Sequence, residues 1–177
     1  MKLTRPALEP RTLNREPLQE GFTLVELLIV MSIIIVIMLL AIPQVTAIKK
    51  RANQTSAVQS LRTLSSAEMG YNSSYPSNGY GCPIAVLGGD AQAGPPSPQS
   101  AQLIGPDLAT GIKSGYIFTV TCGSKVTANN HDVFTSVQIT AVPQTVGKTG
   151  DNGYCTDEGG VIKTDPTGGT NCTQPLQ

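Results

Sequence analysis

The chain has 177 residues, with twelve basic and twelve acidic side chains, four cysteines and one histidine. A net charge of zero lacks the positive footprint with which proteins bind the phosphates of DNA. The sequence contains no nucleophile elbow, no Walker loop and no glycine-rich dinucleotide loop. We therefore expect neither an enzyme nor a nucleic-acid-binding protein.

The first predicted element is an apolar helix at residues 22–42, with polar side chains only at Thr23, Glu26 and Ser32. At a rise of about 1.5 Å per residue, such a helix spans a hydrocarbon core of about 30 Å. An ionisable group inside the segment is costly, so we expect Glu26 to have a function. The mildly basic residues 1–21 favour an N-terminus in the cytoplasm, with most of the chain translocated.

Two simpler interpretations of this segment are a cleavable secretory signal and a plain membrane anchor. Small residues at positions 45–47 would suit a signal peptidase. However, the apolar region is longer than the roughly 7–15 residues of a signal peptide, and it contains an acid. A plain anchor leaves that acid without a role.

The N-terminal region resembles that of the type IV pilin and pseudopilin family in residues 21–30, which have the sequence GFTLVELLIV, and in Pro43. The resemblance implies that a prepilin peptidase cuts between Gly21 and Phe22 and then methylates the new amine of Phe22. Glycine suits the cleavage position because, without a Cβ atom, it lets a protease approach the backbone closely.

The resemblance also implies an assembly role for Glu26. In this family the corresponding carboxylate pairs with the N-terminal amine of a neighbouring subunit, here that of Phe22. An unpaired carboxylate and an unpaired ammonium are both costly at low dielectric constant, so their pairing removes two penalties. We expect this pair to set the register of subunits in a filament. Thr23 either hydrogen-bonds the same cluster or is simply a polar residue that the helix tolerates.

Beyond the apolar segment, Pro43 is expected to bend or locally unwind the helix, because proline removes a hydrogen bond and clashes with the preceding turn. An amphipathic half follows at residues 44–70, with Gly70 as its predicted end. Its apolar face shifts along its length, which suits contact with other helices first and with its own head later. A helix packed on one domain throughout is the alternative. We expect the basic residues 49–51 to lie at the membrane surface.

The rest of the chain, residues 71–177, is rich in glycine, serine, asparagine and proline and is predicted to form a head. Loops are expected at residues 71–83 and 88–100, and a helical turn or two within 100–109. Strands are predicted at residues 115–122, at 133–142 and on both sides of a turn at 157–160. Three or four antiparallel strands packed on the helix would give an α+β, pilin-like fold.

Four segments follow from these predictions. They are a leader at residues 1–21, a transmembrane and filament-core helix at 22–43, the amphipathic half at 44–70 and the head at 71–177.

All four cysteines lie in the head, and an oxidising compartment would join them in disulfides. Four cysteines allow three pairings. We favour Cys82 with Cys122 and Cys155 with Cys172, because the second pair would close a C-terminal loop like that of many pilins. A zinc site is the alternative, but no Cys-x-x-Cys spacing occurs.

Four acidic residues near the C-terminus are candidates for a calcium site, because some pseudopilins bind calcium in a C-terminal loop through oxygen ligands. These residues are Asp151, Asp157, Glu158 and Asp165. The alternative is that they form turns and cap helices. No other metal and no cofactor is expected.

The resemblance implies a structural subunit that polymerises through its N-terminal helix into a type IV pilus-like filament. Its partners would be copies of itself, the prepilin peptidase, an assembly ATPase and a platform membrane protein. Before assembly it would cross the inner membrane once, with its head outside the cytoplasm, and the filament would then be extracellular or periplasmic. The alternatives are a pseudopilin of a type II secretion system, a minor pilin, or an anchored ectodomain that binds a ligand.

Overall fold

The computed structural model describes residues 21–128 and 131–176. The predicted leader, apart from Gly21, lies outside the described residues. The chain divides into two compact units, one ending at Leu40 and the other covering Ala41–Gln177.

One long helix, α1, covers Leu24–Ser74. In its first half, residues 24–39 are all exposed apart from the half-exposed Ile34. Among the described residues no single helix meets the length and hydropathy expected of a membrane span, whereas Leu24–Leu39 and Gln44–Ser74 meet them when taken together. Pro43 lies within α1, and the bend expected there stays a prediction.

The predicted end of the helix at Gly70 is wrong, because α1 continues to Ser74. The additional turn places Tyr71 in the core, 3% exposed, with its hydroxyl donating to the carbonyl oxygen of Pro98 at 2.8 Å. Burying a large side chain stabilises by about 1.5–3 kcal/mol. A glycine inside a helix costs about 1 kcal/mol, so the burial of Tyr71 outweighs it.

The head contains an antiparallel sheet of six strands in the order β1-β2-β5-β6-β7-β8, and β3 and β4 form a separate hairpin. Short helical segments precede the sheet at Ile84–Leu87, a 3-10 turn, and at Pro106–Ala109, which is α2. The strands are β1 (Ile112–Lys113), β2 (Tyr116–Cys122), β3 (Lys125–Ala128), β4 (His131–Phe134), β5 (Val137–Pro143), β6 (Gly153–Asp157), β7 (Lys163–Asp165) and β8 (Gln174–Pro175). The α+β fold class is confirmed.

The strand predicted at residues 133–142 is in fact two strands, β4 and β5. Ser136 lies between them, and its hydroxyl accepts the N–H of Ser124 at 2.8 Å while its carbonyl accepts the N–H of Gly123 at 3.0 Å. These bonds lie where the chain changes its partner, since β4 pairs with β3 and β5 pairs with β2. Hydrophobic alternation does not reveal such a change of partner, because both strands keep the same period.

The core lies between the second half of α1 and one face of the sheet. Helix residues spaced by three and four positions supply one side, as expected of an amphipathic helix. Alternate residues of β2 and β5 supply the other side. The main contributors are Ala57, Leu61, Leu64, Ala67, Tyr71, Tyr116, Phe118, Val120, Val137, Ile139, Ala141 and Tyr154.

Two disulfides join the head internally, and they are the pairs that we favour on the resemblance. Cys82, just after α1, is bonded to Cys122 at the end of β2. Cys155 in β6 is bonded to Cys172 in the connection that leads to β8.

Candidate functional site

The predicted cleavage junction lies just before α1 and is open to solvent. Phe22 is 85% exposed. A Cβ atom built on Gly21 would meet no atom within 4 Å. Nothing among the described residues therefore hinders access to the peptide bond between them.

Thr23 and Glu26 form a capping box at the start of α1. The backbone N–H of Thr23 donates to Oε2 of Glu26 at 2.9 Å, and the Thr23 hydroxyl donates to the same oxygen at 2.8 Å. In return, the backbone N–H of Glu26 donates to the Thr23 hydroxyl at 3.2 Å. A threonine followed three residues later by glutamate is the sequence signature of this motif. Thr23 therefore hydrogen-bonds Glu26 within one chain, and its contact with a neighbouring subunit's Phe22 amine stays a prediction.

The capping box uses only half of the carboxylate. Both bonds from Thr23 go to Oε2 of Glu26, and Oε1 accepts no hydrogen bond from the described part of the chain. The backbone nitrogen of Phe22 directly precedes that of Thr23. An amine released at Phe22 would therefore appear close to a carboxylate that already has a fixed position.

The rest of the first half of α1, residues 27–39, offers no other polar contact site. Ser32 donates to the carbonyl oxygen of Ile29 at 2.7 Å, so its hydroxyl is satisfied within the helix. The remaining surface of residues 24–39 is apolar and exposed.

A family model described as the prokaryotic N-terminal methylation motif matches residues 17–42. The chain carries the prepilin signature. This is the signature of type IV pilins and pseudopilins, so the resemblance is confirmed for this region. The motif implies processing by a prepilin peptidase and handling by a pilus assembly machinery. Comparison with curated proteins and with solved structures found no match.

In the head, a polar cluster holds the connection between β5 and β6 on α1. Lys50 pairs with Asp151 at 3.0 Å, and the side-chain amide of Asn53 donates to the carbonyl oxygen of Thr149 at 2.9 Å. Lys50 belongs to the basic run predicted at the membrane surface, so at least this member of the run contacts the head. Its partner is 101 residues away, which no local pattern reveals.

We expect Lys50→Ala to lower the free energy of unfolding by less than about 1 kcal/mol, because a partly exposed ion pair contributes little. Urea unfolding of the full chain in detergent micelles measures this change. Lys49→Ala is the matched control, since Lys49 forms no ion pair with the described residues. A loss above about 2 kcal/mol would contradict the expectation.

The four calcium candidates do not form a site. The described residues contain no group of three or more histidine, cysteine or acidic side chains that could hold a metal ion. Each acid instead has a contact of its own within the protein. Asp151 pairs with Lys50, Asp157 accepts the N–H of Gly159 and lies 3.6 Å from Lys163, and Glu158 accepts the N–H of Val137.

Asp165 is the most buried of these acids, at 4% exposed. Its Oδ1 accepts the N–H and the hydroxyl of Thr167 at 2.9 and 2.7 Å, and its Oδ2 accepts the N–H of Asn171 at 3.0 Å. The bonds from the Thr167 side chain and backbone hold the pKa of Asp165 below its usual value. Asp165 therefore shapes the loop that carries Cys172, which is the turn-forming alternative.

Glu68 is a buried acid that the sequence interpretation missed. It is 1% exposed, and its Oε2 accepts the N–H of Gly81 at 2.8 Å. Burial raises the pKa of its carboxyl to about 7. The available signal was its spacing, since it lies four residues after Leu64 and three before Tyr71, on the apolar face of α1.

Proposed function

We propose that the prepilin is the structural subunit of a type IV pilus-like filament and polymerises through the first half of α1. The observation that carries this proposal is the apolar surface of residues 24–39, which nothing else in the described chain covers. Full burial of one large apolar side chain contributes about 1.5–3 kcal/mol. A surface of this length therefore favours burial in a membrane or a helix bundle by on the order of tens of kcal/mol.

Before assembly, the same surface would hold the subunit in the inner membrane, with the head outside the cytoplasm. Assembly would transfer α1 from lipid into a bundle of identical helices, driven by an assembly ATPase and a platform membrane protein. Copies of the chain and the prepilin peptidase are its other partners.

The capping box supports a different partner for each oxygen of the Glu26 carboxylate. Oε2 would stay bound to Thr23, while Oε1 would accept the charged amine of Phe22 from a neighbouring subunit. A charge-assisted hydrogen bond of this kind is about twice as strong as a neutral one. A subunit inserted one position out of register would leave both charges unpaired in an apolar surrounding, and this cost would enforce the register.

Mass spectrometry of the purified membrane or fibre fraction tests the proposal. We expect the mature chain to begin at an N-methylated Phe22. A Gly21→Val variant made in the same cells is the control and should stay uncut, because a branched side chain blocks close approach to the backbone. An intact Met1, or a chain that starts at Ile48, would overturn the proposal.

A pseudopilin of a type II secretion system shares the same signature, so processing alone does not separate the two. Electron microscopy of material sheared from the cell surface distinguishes the pilus subunit from the pseudopilin. Long surface fibres that contain this chain support the pilus, and their absence, with the processed chain kept in the periplasm, supports the pseudopilus.

A further inference from the structure

Glu68 has a buried carboxyl group of which only one oxygen is hydrogen-bonded to the described residues. Its Oε2 accepts the N–H of Gly81, whereas its buried Oε1 has no hydrogen-bond partner among the described residues. A buried polar atom without a partner is costly, and far more so when it is charged. The head would therefore be more stable with Glu68 neutral.

Gly81, whose N–H donates to Glu68, belongs to residues 75–83, which we call the anchor segment. This segment also forms two hydrogen bonds with β4. The N–H of Tyr80 donates to the carbonyl oxygen of Phe134 at 3.1 Å, and the N–H of Phe134 donates to the carbonyl oxygen of Asn78 at 3.0 Å. Glu68 is thus a buried polar contact between α1 and a segment that pairs with β4 of the β3–β4 hairpin.

Close packing shields the carboxyl group from water. A Cβ atom built on Gly81 would come within 3.0 Å of Leu87 Cδ2 and 3.1 Å of the Tyr71 ring. The backbone at Gly81 therefore lies directly against the core. Movement of the anchor segment away from α1 would therefore let water approach the carboxyl group of Glu68.

We propose that Glu68 is a proton-controlled anchor, which holds the anchor segment closed on α1 when protonated and favours its opening when ionised. In a head outside the cytoplasm, this contact would respond to the pH of the surroundings.

The direction of the pH effect follows from linkage. Burial raises the pKa of Glu68 to about 7 in the closed form, against the 4.5 of an exposed glutamate. The closed form therefore binds the proton more tightly, and raising the pH from about 4.5 to about 7 favours opening by up to about tenfold per pH unit. Above about pH 7 both forms are ionised and the effect levels off.

The surrounding elements carry few other groups that titrate near neutral pH. The neighbouring phenols are Tyr71 on α1 and Tyr75 and Tyr80 in the anchor segment, and burial raises the pKa of Tyr71 above its usual value. The 3-10 turn at Ile84–Leu87 has no titratable side chain. In the β3–β4 hairpin, Lys125 and Asp132 form an ion pair with each other.

His131 requires a control, because it belongs to β4 and histidine has an ordinary pKa of about 6.5. It is the only histidine in the chain, so a single variant removes this contribution.

Hydrogen exchange of the full chain in detergent micelles tests the proposal at the amides of Tyr80, Gly81 and Phe134. After correction for intrinsic exchange, we expect wild-type protection to fall on the order of thirtyfold between about pH 5.5 and about pH 8.5. In Glu68→Gln, which keeps an acceptor for Gly81 without the charge, protection should not change with pH. His131→Gln and the exposed Glu158→Gln should behave like wild type.

Three outcomes would overturn the proposal: constant protection in wild type, an equal fall in Glu68→Gln, or loss of the fall in His131→Gln. If Glu68→Gln does not fold, carbon-13 NMR of the wild-type Glu68 carboxyl decides instead. A midpoint near 7 supports the proposal, and a midpoint near the 4.5 of an exposed glutamate overturns it.

Discussion

Replacing Glu26 with alanine is expected to leave cleavage after Gly21 intact and to reduce fibre yield at least about tenfold, which corresponds to about 1.4 kcal/mol of lost subunit interaction. Cleavage should survive because Phe22 is exposed and a Cβ atom built on Gly21 would meet no atom within 4 Å. Assembly should fail because the amine of Phe22 then enters an apolar bundle without a counter-charge. Mass spectrometry gives the extent of cleavage, and quantification of sheared fibres gives the yield.

Two further variants separate the ion pair from the helix cap, since Glu26 takes part in both. Glu26→Gln keeps an acceptor for the N–H of Thr23, because glutamine also serves in a capping box, but it removes the charge. Thr23→Ala keeps the charge and removes the hydroxyl, at a cost of about 1 kcal/mol to the helix. We expect Glu26→Gln to assemble as poorly as Glu26→Ala, and Thr23→Ala to assemble nearly as well as wild type. The reverse order, or wild-type yield from Glu26→Ala, would show that the charge pair does not control assembly.

The start of α1 was predictable because its sequence signals are local. Hydropathy alone predicts the helix that begins at Leu24, and the spacing of Thr23 and Glu26 is itself a capping signature. The end of α1 was not predictable from Gly70, since the burial of Tyr71 depends on contacts with residues far along the chain.

In the head, alternation predicted which residues of β5 face the core, namely Val137, Ile139 and Ala141. It did not predict the break at Ser136, because that break depends on hydrogen bonds to the connection after β2.

The burial of Glu68 is the feature of this chain that sequence interpretation was least able to predict. A glutamate is almost always exposed, so its position on an apolar helix face is easily taken for an interruption of the pattern. Only the fold brings Gly81 to its carboxyl group, from 13 residues away. The pairing of Lys50 with Asp151 is a second example, at a far greater separation.

Removal of the disulfide between Cys82 and Cys122 is expected to lower the free energy of unfolding by about 4 kcal/mol, against about 3 kcal/mol for the pair of Cys155 and Cys172. The difference follows from the sequence separations of 40 and 17 residues, because a longer closed loop restricts the unfolded chain more. Both cysteines of a pair should be replaced by alanine, because this adds no polar group at the buried position 155. Urea unfolding of the oxidised full chain in micelles measures both losses, and a loss below about 1 kcal/mol for either pair would contradict the expectation.

The two double variants should also differ in where the head loosens. Cys82 belongs to the anchor segment and ties it to the end of β2, so its loss removes a restraint next to the contact between Glu68 and Gly81. Cys155 lies in β6 and Cys172 follows β7, on the side of β5 that is away from β2. We therefore expect protection of the Gly81 amide from hydrogen exchange to fall at least about tenfold more in the first double variant than in the second, measured at about pH 5.5, where Glu68 is protonated. Equal losses at Gly81 would mean that the disulfide does not restrain the anchor segment, and that the carboxyl contact and the packing of Gly81 hold it closed without the crosslink.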